Sequence, residues 1–460
     1  MKIKKHAFLS LLAVTVLLAA CSPKTSNLPS VNPQASTVPA VNKPSIPTEI
    51  TPPADILFTN GVILTMDQSN TIAQALAIRS GRIIAVGSSD EIMKLRGTDT
   101  AVIDLANRTL LPGFVDAHSH LLGASNGNRA DFIDLQEYAI RSGITTITEM
   151  GVTPDLLDQL VEYDHAGLLR MRWNTYLLYN TNCGDQFDAN WYKTYQKGQA
   201  ISLHVRNQGV KIFADGGSCN VPAVSFEYPG GYGHGDLYMT QEQMNILVAK
   251  VQADGYQVAI HALGDRAIEQ AMNAIAAALK GQPNTFRHRI EHNAVLTPSL
   301  VDRYSQIGIV PTIFGEYPTC WRINPNGKFK YAVPAEIGTE EWAWRGLLDA
   351  NPGIMAAWHA DYPVFSHLEP IRSLYGFVTR NEVADDGSIC EAPAWLKAGA
   401  ITVQEALRAM TCNSAYALFR ENEIGSLESG KLADMVILTD NPLAIAPEKI
   451  KDIQVLMTMI

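Results

Sequence analysis

Between residues 110 and 380, short apolar runs bounded by turn residues alternate with stretches whose apolar positions recur every three or four residues. The first pattern predicts buried strands and the second amphipathic helices. Strands are predicted at 110–117, 144–150, 171–179, 209–214, 256–261, 287–292, 308–314 and 353–360. Helix starts are marked by Thr153-Pro154, by Thr240 with Gln243 and by Thr297-Pro298. A side-chain oxygen there can accept from the open N–H groups of a first turn, and proline has none to leave open. The clearest helix is 265–280, DRAIEQAMNAIAAALK, and another fits 130–141. Eight strand–helix units in succession match an α/β fold, the (β/α)8 TIM barrel. A doubly wound sheet is the competing arrangement.

The flanks read differently. Asp55–Phe58, Val62–Met66, Ala75–Arg79 and Arg82–Val86 are short strands, with Asn60-Gly61 and Ser80-Gly81 as hairpin punctuation. Met435–Leu438 and Val455–Ile460 return to that texture. The barrel units are therefore expected inside a small β domain.

The N-terminus has no foldable pattern. Lys2, Lys4 and Lys5 precede an apolar run from Ala7 to Ala20, too short to span a bilayer comfortably. Leu18-Ala19-Ala20-Cys21 resembles the bacterial lipobox, with 1–20 as signal peptide and Cys21 as lipidation site; an ordinary secretory signal is the alternative. Residues 21–54 carry Pro at 23, 29, 33, 39, 44, 47, 52 and 53 and read as a disordered tether. This predicts an exported lipoprotein of the cell envelope, touching the membrane through its lipid anchor only.

Composition narrows the classes. Hydrophobic residues make up 47% and charged residues 18% of the 460, which is ordinary for a globular chain. A net charge of −10 argues against a nucleic-acid partner. The cysteines at 183, 219, 320, 390 and 412 are scattered, odd in number and free of CxxC spacing. Neither a disulfide framework nor a thiolate zinc site is expected from them.

The chemistry sits in the histidines. His118 and His120 end the first strand, LPGFVDAHSH, and residues two apart on a strand share a face. Imidazole suits zinc and similar metals. That decapeptide resembles the first-strand signature of the amidohydrolase superfamily. VKIFADGG (210–217), HALGDRAI (261–268), RHRIEH (287–292), HADYPV (359–364) and IGSLESGKLADMVIL (424–438) agree in order. Together they are similar to the amidohydrolase-3 (YtcJ-like) branch from residue 55 onward. The resemblance implies a barrel over 110–419 and a composite β-sandwich from 55–109 plus 420–460.

It also implies a metal centre. His118, His120, Lys211, His261, His292 and Asp361 occupy the ligand positions, all near strand C-termini, where barrel active sites lie. Lys211 stands where a lysine, carbamylated by CO2, bridges two divalent ions, expected to be zinc. Asp361 would be the catalytic acid–base group. A lysine in an apolar strand can instead snorkel or pair with Asp215, and Glu149 is the alternative bridge, or else a structural acid. His288 shares strand parity with His292 and is expected a turn deeper in the barrel, as packing or as support behind the ligands and not as a ligand itself; His359 is expected as pocket lining rather than a ligand, and His204, His234 and His367 as bystanders.

The implied activity is hydrolysis of a non-peptide C–N bond in a small amide-type molecule, N-acyl or N-formyl. The alternatives are a one-metal deaminase or cyclic amidase, and an inactive ligand-binding surface lipoprotein. The last should lack a ligand, whereas all six positions are filled. Two departures from the family stand out. Only 22 residues separate His120 from Gly143, so a pocket wall present in relatives is expected to be reduced. The sequence also stops at Ile460, before the Gly-Lys turn and last strand expected of the sandwich, so either the chain is truncated or that sheet has one edge fewer. Loops 217–236 and 315–345, the latter with Tyr317, Trp321, Trp342 and Trp344, are the candidate pocket builders.

Overall fold

The computed structural model describes residues 52–187, 190–217, 219–316, 318–320, 338, 340–364 and 367–460. The readings of residues 1–20, of Cys21 and of most of the tether, and those of Tyr317 and Trp321, lie outside them.

Eight parallel strands form one sheet, in chain order: Phe114–Ser119, Ile144–Val152, Arg172–Leu178, Val205–Phe213, Gln257–Ala262, Arg289–His292, Val310–Phe314 and Ala357–His359. The first and last close on each other. The Asp361 N–H donates to the His118 carbonyl at 3.0 Å, and the His120 N–H donates to the Tyr362 carbonyl at 2.9 Å. The runs at 114–119 and 257–262 are buried at every position, because one face fills the barrel and the other meets helices. Helix Asp265–Leu279 shows why the outer layer forms. Ala267, Ile268, Ala271, Met272, Ile275 and Leu279 lie along one face and are buried, and Lys280 ends the helix in the left-handed conformation. Helix Gln241–Ala253 begins with a reciprocal Thr240/Gln243 cap.

Two further sheets come from the chain ends. One orders Arg82–Gly87, Ala75–Arg79, Ile56–Thr59 and Ala101–Asp104. The other orders Val455–Met459, Met435–Leu438, Thr109–Pro112, Val62–Leu64 and Ile72–Ala73, so both ends share it. Phe58, Ile63, Leu76, Leu110, Met435 and Ile437 bury a common core between them. Asp434 ties this sheet to the barrel through two 2.7 Å bonds from Arg172.

Three expectations are corrected. The single strand at 110–117 is two: Thr109–Pro112 belongs to the end sheet, and Phe114–Ser119 opens the barrel. Gly113 is the joint, where a Cβ would lie 2.2 Å from the Thr145 side chain. The absence of a disulfide framework is overturned, because Cys183 pairs with Cys219 and Cys320 with Cys390, their Cα atoms 5.2 and 5.0 Å apart. The partners are 36 and 70 residues apart and meet only once the barrel brings separate loops together. His288 is not deep in the barrel. It faces helix Gln241–Ala253, its Nδ1 accepting from the Val258 N–H at 3.1 Å and its Nε2 lying 3.0 Å from Gln252 Oε1. Counting side-chain parity back from His292 misleads, because His292 has a φ of 71° and breaks the alternation.

Candidate metal centre

The six predicted ligands converge at the C-terminal mouth of the barrel. His118 Nε2 and His120 Nε2 each lie 3.5 Å from Asp361 Oδ1, and His292 Nδ1 lies 3.8 Å from Asp361 Oδ2. Lys211 Nζ is 3.3 Å from His118 Nε2. The His261 and His292 ring centres are 4.6 Å apart. His120 is the most open of these groups, with 28% of its side chain exposed, and marks the side from which the cluster is reached. His292 and Asp361 both have positive φ, 71° and 53°, in a region that side chains other than Gly seldom occupy.

A ligating imidazole needs a free lone pair and a fixed tautomer. His118 Nδ1 donates to Glu291 Oε2 at 2.7 Å, which leaves Nε2 as acceptor facing the cluster. His261 Nε2 donates to the Gly216 carbonyl at 2.9 Å, which leaves Nδ1 with the lone pair. Glu291 is itself fixed by Arg289, whose Nε and Nη2 donate to its two oxygens at 2.6 and 2.8 Å, all fully buried. Burial and neighbouring cations hold His118 and His292 well below the usual imidazole pKa, and burial brings His261 to about 3. All three are neutral donors. Burial alone would raise the Asp361 carboxyl, yet His120, His359 and Lys211 together pull it below its usual value. Burial brings the Lys211 amine down to about 8.

Neutral imidazoles, an anionic carboxylate and a buried amine with no acidic hydrogen-bond partner among the described residues form a donor set that fits divalent metal. Two triads have their donor atoms within 4.8 Å of one another: His118, His120 and Asp361, and His292, His359 and Asp361.

The remaining candidates fall into place. The carboxylate oxygens of Glu149 accept the Leu122 and Gly123 N–H groups at 2.8 and 3.1 Å, the work of a structural acid. Asp215 accepts from Ala223, Leu263 and Gly264, pinning the loop after the fourth strand, and makes no hydrogen bond to Lys211. His204 pairs with Asp164 at 2.6 Å and His367 lies 2.8 Å from Arg372 Nη1, while His234 is exposed. Trp344 is buried and donates to the Phe314 carbonyl at 2.9 Å, so it packs its loop down instead of lining a pocket. Sequence reading passed over Arg289 and Glu291, and discounted His359. Their one signal was a run of charged and imidazole groups, RHRIEH, inside a strand otherwise expected to be apolar.

A (β/α)8 barrel with such a cluster at its mouth defines a class, the metal-dependent hydrolases. The chain belongs to the amidohydrolase family, which it matches over residues 134–460. It is 24% identical to the protein LONG AFTER FAR-RED 3 of Arabidopsis thaliana, over 85% of this chain and 89% of that one. It is 22% identical to an N-substituted formamide deformylase of Arthrobacter pascens, over 88% of this chain and 97% of the relative. These alignments run over 534 and 547 residues, more than the 460 of this chain, so both relatives carry stretches that it lacks. Among solved structures, a metal-dependent hydrolase from Pyrococcus horikoshii superposes with a TM-score of 0.70 at 18% identity, over 85% of this chain and 99% of that one.

Proposed function

We propose that this metal-dependent amidohydrolase cleaves an N-acyl or N-formyl amide, a non-peptide C–N bond, in a small molecule. The observation that carries the reading is the convergence of His118, His120, His292 and Asp361 donor atoms at the barrel mouth. Similarity to a formamide deformylase along nearly the whole of that relative supports the amide class. His118, His120, His261, His292 and Asp361 would hold two zinc ions, with Lys211 as a bridging carbamate. Bound there, such ions would acidify a water molecule and polarise the substrate carbonyl.

The chain's own groups do the rest. Asp361, buried and ionised, accepts the proton of the attacking water and returns it to the leaving nitrogen. Glu291 and Arg289 hold His118 in one tautomer. The half-open side at His120 admits substrate. The test is a turnover screen of N-formyl amides, N-acyl amides, cyclic amides and esters with zinc-loaded protein, beside the His120→Ala variant. Amide turnover that falls at least about 100-fold in that variant, together with lost zinc, is expected. Turnover of none of these, or full turnover and zinc content without His120, would end the reading.

We further propose that the chain is exported and anchored through Cys21. Two disulfides support an oxidising compartment. Among the described residues no helix is long and apolar enough to cross a membrane. Labelled palmitate should enter the wild-type protein and not a Cys21→Ser variant; equal labelling of both would contradict the anchor.

A further inference from the structure

We propose that His359 is itself a metal ligand, completing with His292 and Asp361 a second ion position that meets the His118/His120 position at Asp361. This rests on the metal-hydrolase reading and adds a ligand to the six named above.

His359 ends the eighth barrel strand and is fully buried. Among the described residues, neither of its ring nitrogens has a hydrogen-bond partner. Buried imidazole nitrogens are nearly always paired, so this pair requires an explanation. Its surroundings supply few ordinary partners. Phe314 packs against it, with ring centres 5.5 Å apart, and is apolar. Glu291 is engaged by Arg289 and His118 through both its oxygens and makes no hydrogen bond to His359. What does surround His359 is metal-binding chemistry. Its ring centre lies 4.9 Å from that of His292 and 5.2 Å from that of His118. One of its ring nitrogens lies within 4.8 Å of a donor atom of His292 and of Asp361.

The geometry of Asp361 divides the centre in two. Oδ1 faces His118 and His120, each at 3.5 Å, while Oδ2 faces His292 at 3.8 Å. The carboxylate therefore lies between two groups of imidazoles, with one oxygen toward each. With His261, whose ring centre lies 4.6 Å from that of His292, the second ion would then have three imidazoles beside one carboxylate oxygen, nitrogen and oxygen donors that suit zinc. An unpaired buried imidazole beside a second imidazole and a carboxylate oxygen is a donor set that fits a divalent ion.

The experiment uses zinc alone as probe. Full-length protein is loaded with zinc and crystallised, and anomalous peaks are located at the zinc edge. A peak bonded to His292, His359 and Asp361, with a Zn–N distance near ~2.0–2.1 Å, is expected beside the peak at His118 and His120. In solution, His359→Asn and His359→Phe should keep the wild-type circular dichroism spectrum and bind about one zinc fewer per chain. A fully loaded wild-type protein whose zinc never touches His359 would overturn the proposal and leave the hydrolase reading standing. So would folded His359 variants that keep all their zinc. No zinc at any of these residues would overturn both.

Discussion

His118 gives its Nδ1 proton to Glu291 and turns Nε2 toward Asp361, so one buried carboxylate decides which nitrogen faces the site. Lys211 is the other group whose state matters. Its amine is fully buried on an apolar strand, and its hydrogen-bond neighbour is an imidazole, not an acid. A lasting cation there would be poorly compensated, and a carbamate bridging two ions would not be. Lys211→Ala is expected to lose about one metal per chain and most activity, roughly 100-fold or more. Metal analysis and kcat/KM check this, and added short carboxylates should restore part of the rate.

His288 makes a separate prediction about stability. Burial, with Lys197 nearby, brings its pKa to about 3 against an ordinary 6.5. Between those values the unfolded chain binds a proton that the folded chain does not, so stability rises with pH in that window. Its contribution is complete above about pH 6.5 and is lost as pH falls toward 3, by up to about 1.4 kcal/mol per unit. Urea unfolding at pH 7, 6 and 5 should show a shallower fall for His288→Gln than for wild type.

At the level of single elements, caps and joints do the placing. The Thr240 hydroxyl accepts from the Gln243 N–H at 3.2 Å, and Gln243 Oε1 accepts from the Thr240 N–H at 2.8 Å. That helix packs on the strand Gln257–Ala262, which carries His261, but it holds no site residue itself. Thr240→Ala should cost about 1 kcal/mol of stability and leave turnover unchanged. Thermal unfolding and an activity assay on the same sample would show whether the two separate. Gly113 acts differently, as the joint between two sheets, and its neighbours leave no room for a side chain. The apolar run across it is continuous, so the sequence pattern alone reads as one strand.

Across the whole molecule, the barrel positions the site and the disulfides tie the loops above it. Cys183–Cys219 joins the loops after the third and fourth strands, and Cys320–Cys390 joins segments after the seventh and eighth. Closing such loops restricts the unfolded chain and is worth about 2–4 kcal/mol each. Reduction with a phosphine, or Cys320→Ser with Cys390→Ser, should lower the melting temperature by several degrees. An unchanged melting curve after full reduction would contradict that contribution.

Much of this was legible in the chain. Eight largely apolar runs set the barrel, because a strand buried on both faces has few positions that can carry polar groups. Hairpin glycines set the end sheets, and His118, His120, His261, His292 and Asp361 lay at strand ends, where a parallel barrel gathers its side chains. What the chain hid was contact between segments distant in sequence. The cysteine pairs, the Arg289–Glu291–His118 chain and the isolation of His359 have no local signature. They exist because the folded barrel brings loops of neighbouring strands and side chains of the first and sixth strands together, while positive φ at His292 and Asp361 breaks the strand alternation. A periodic pattern records which face of a strand is buried; only the folded barrel decides which groups meet there.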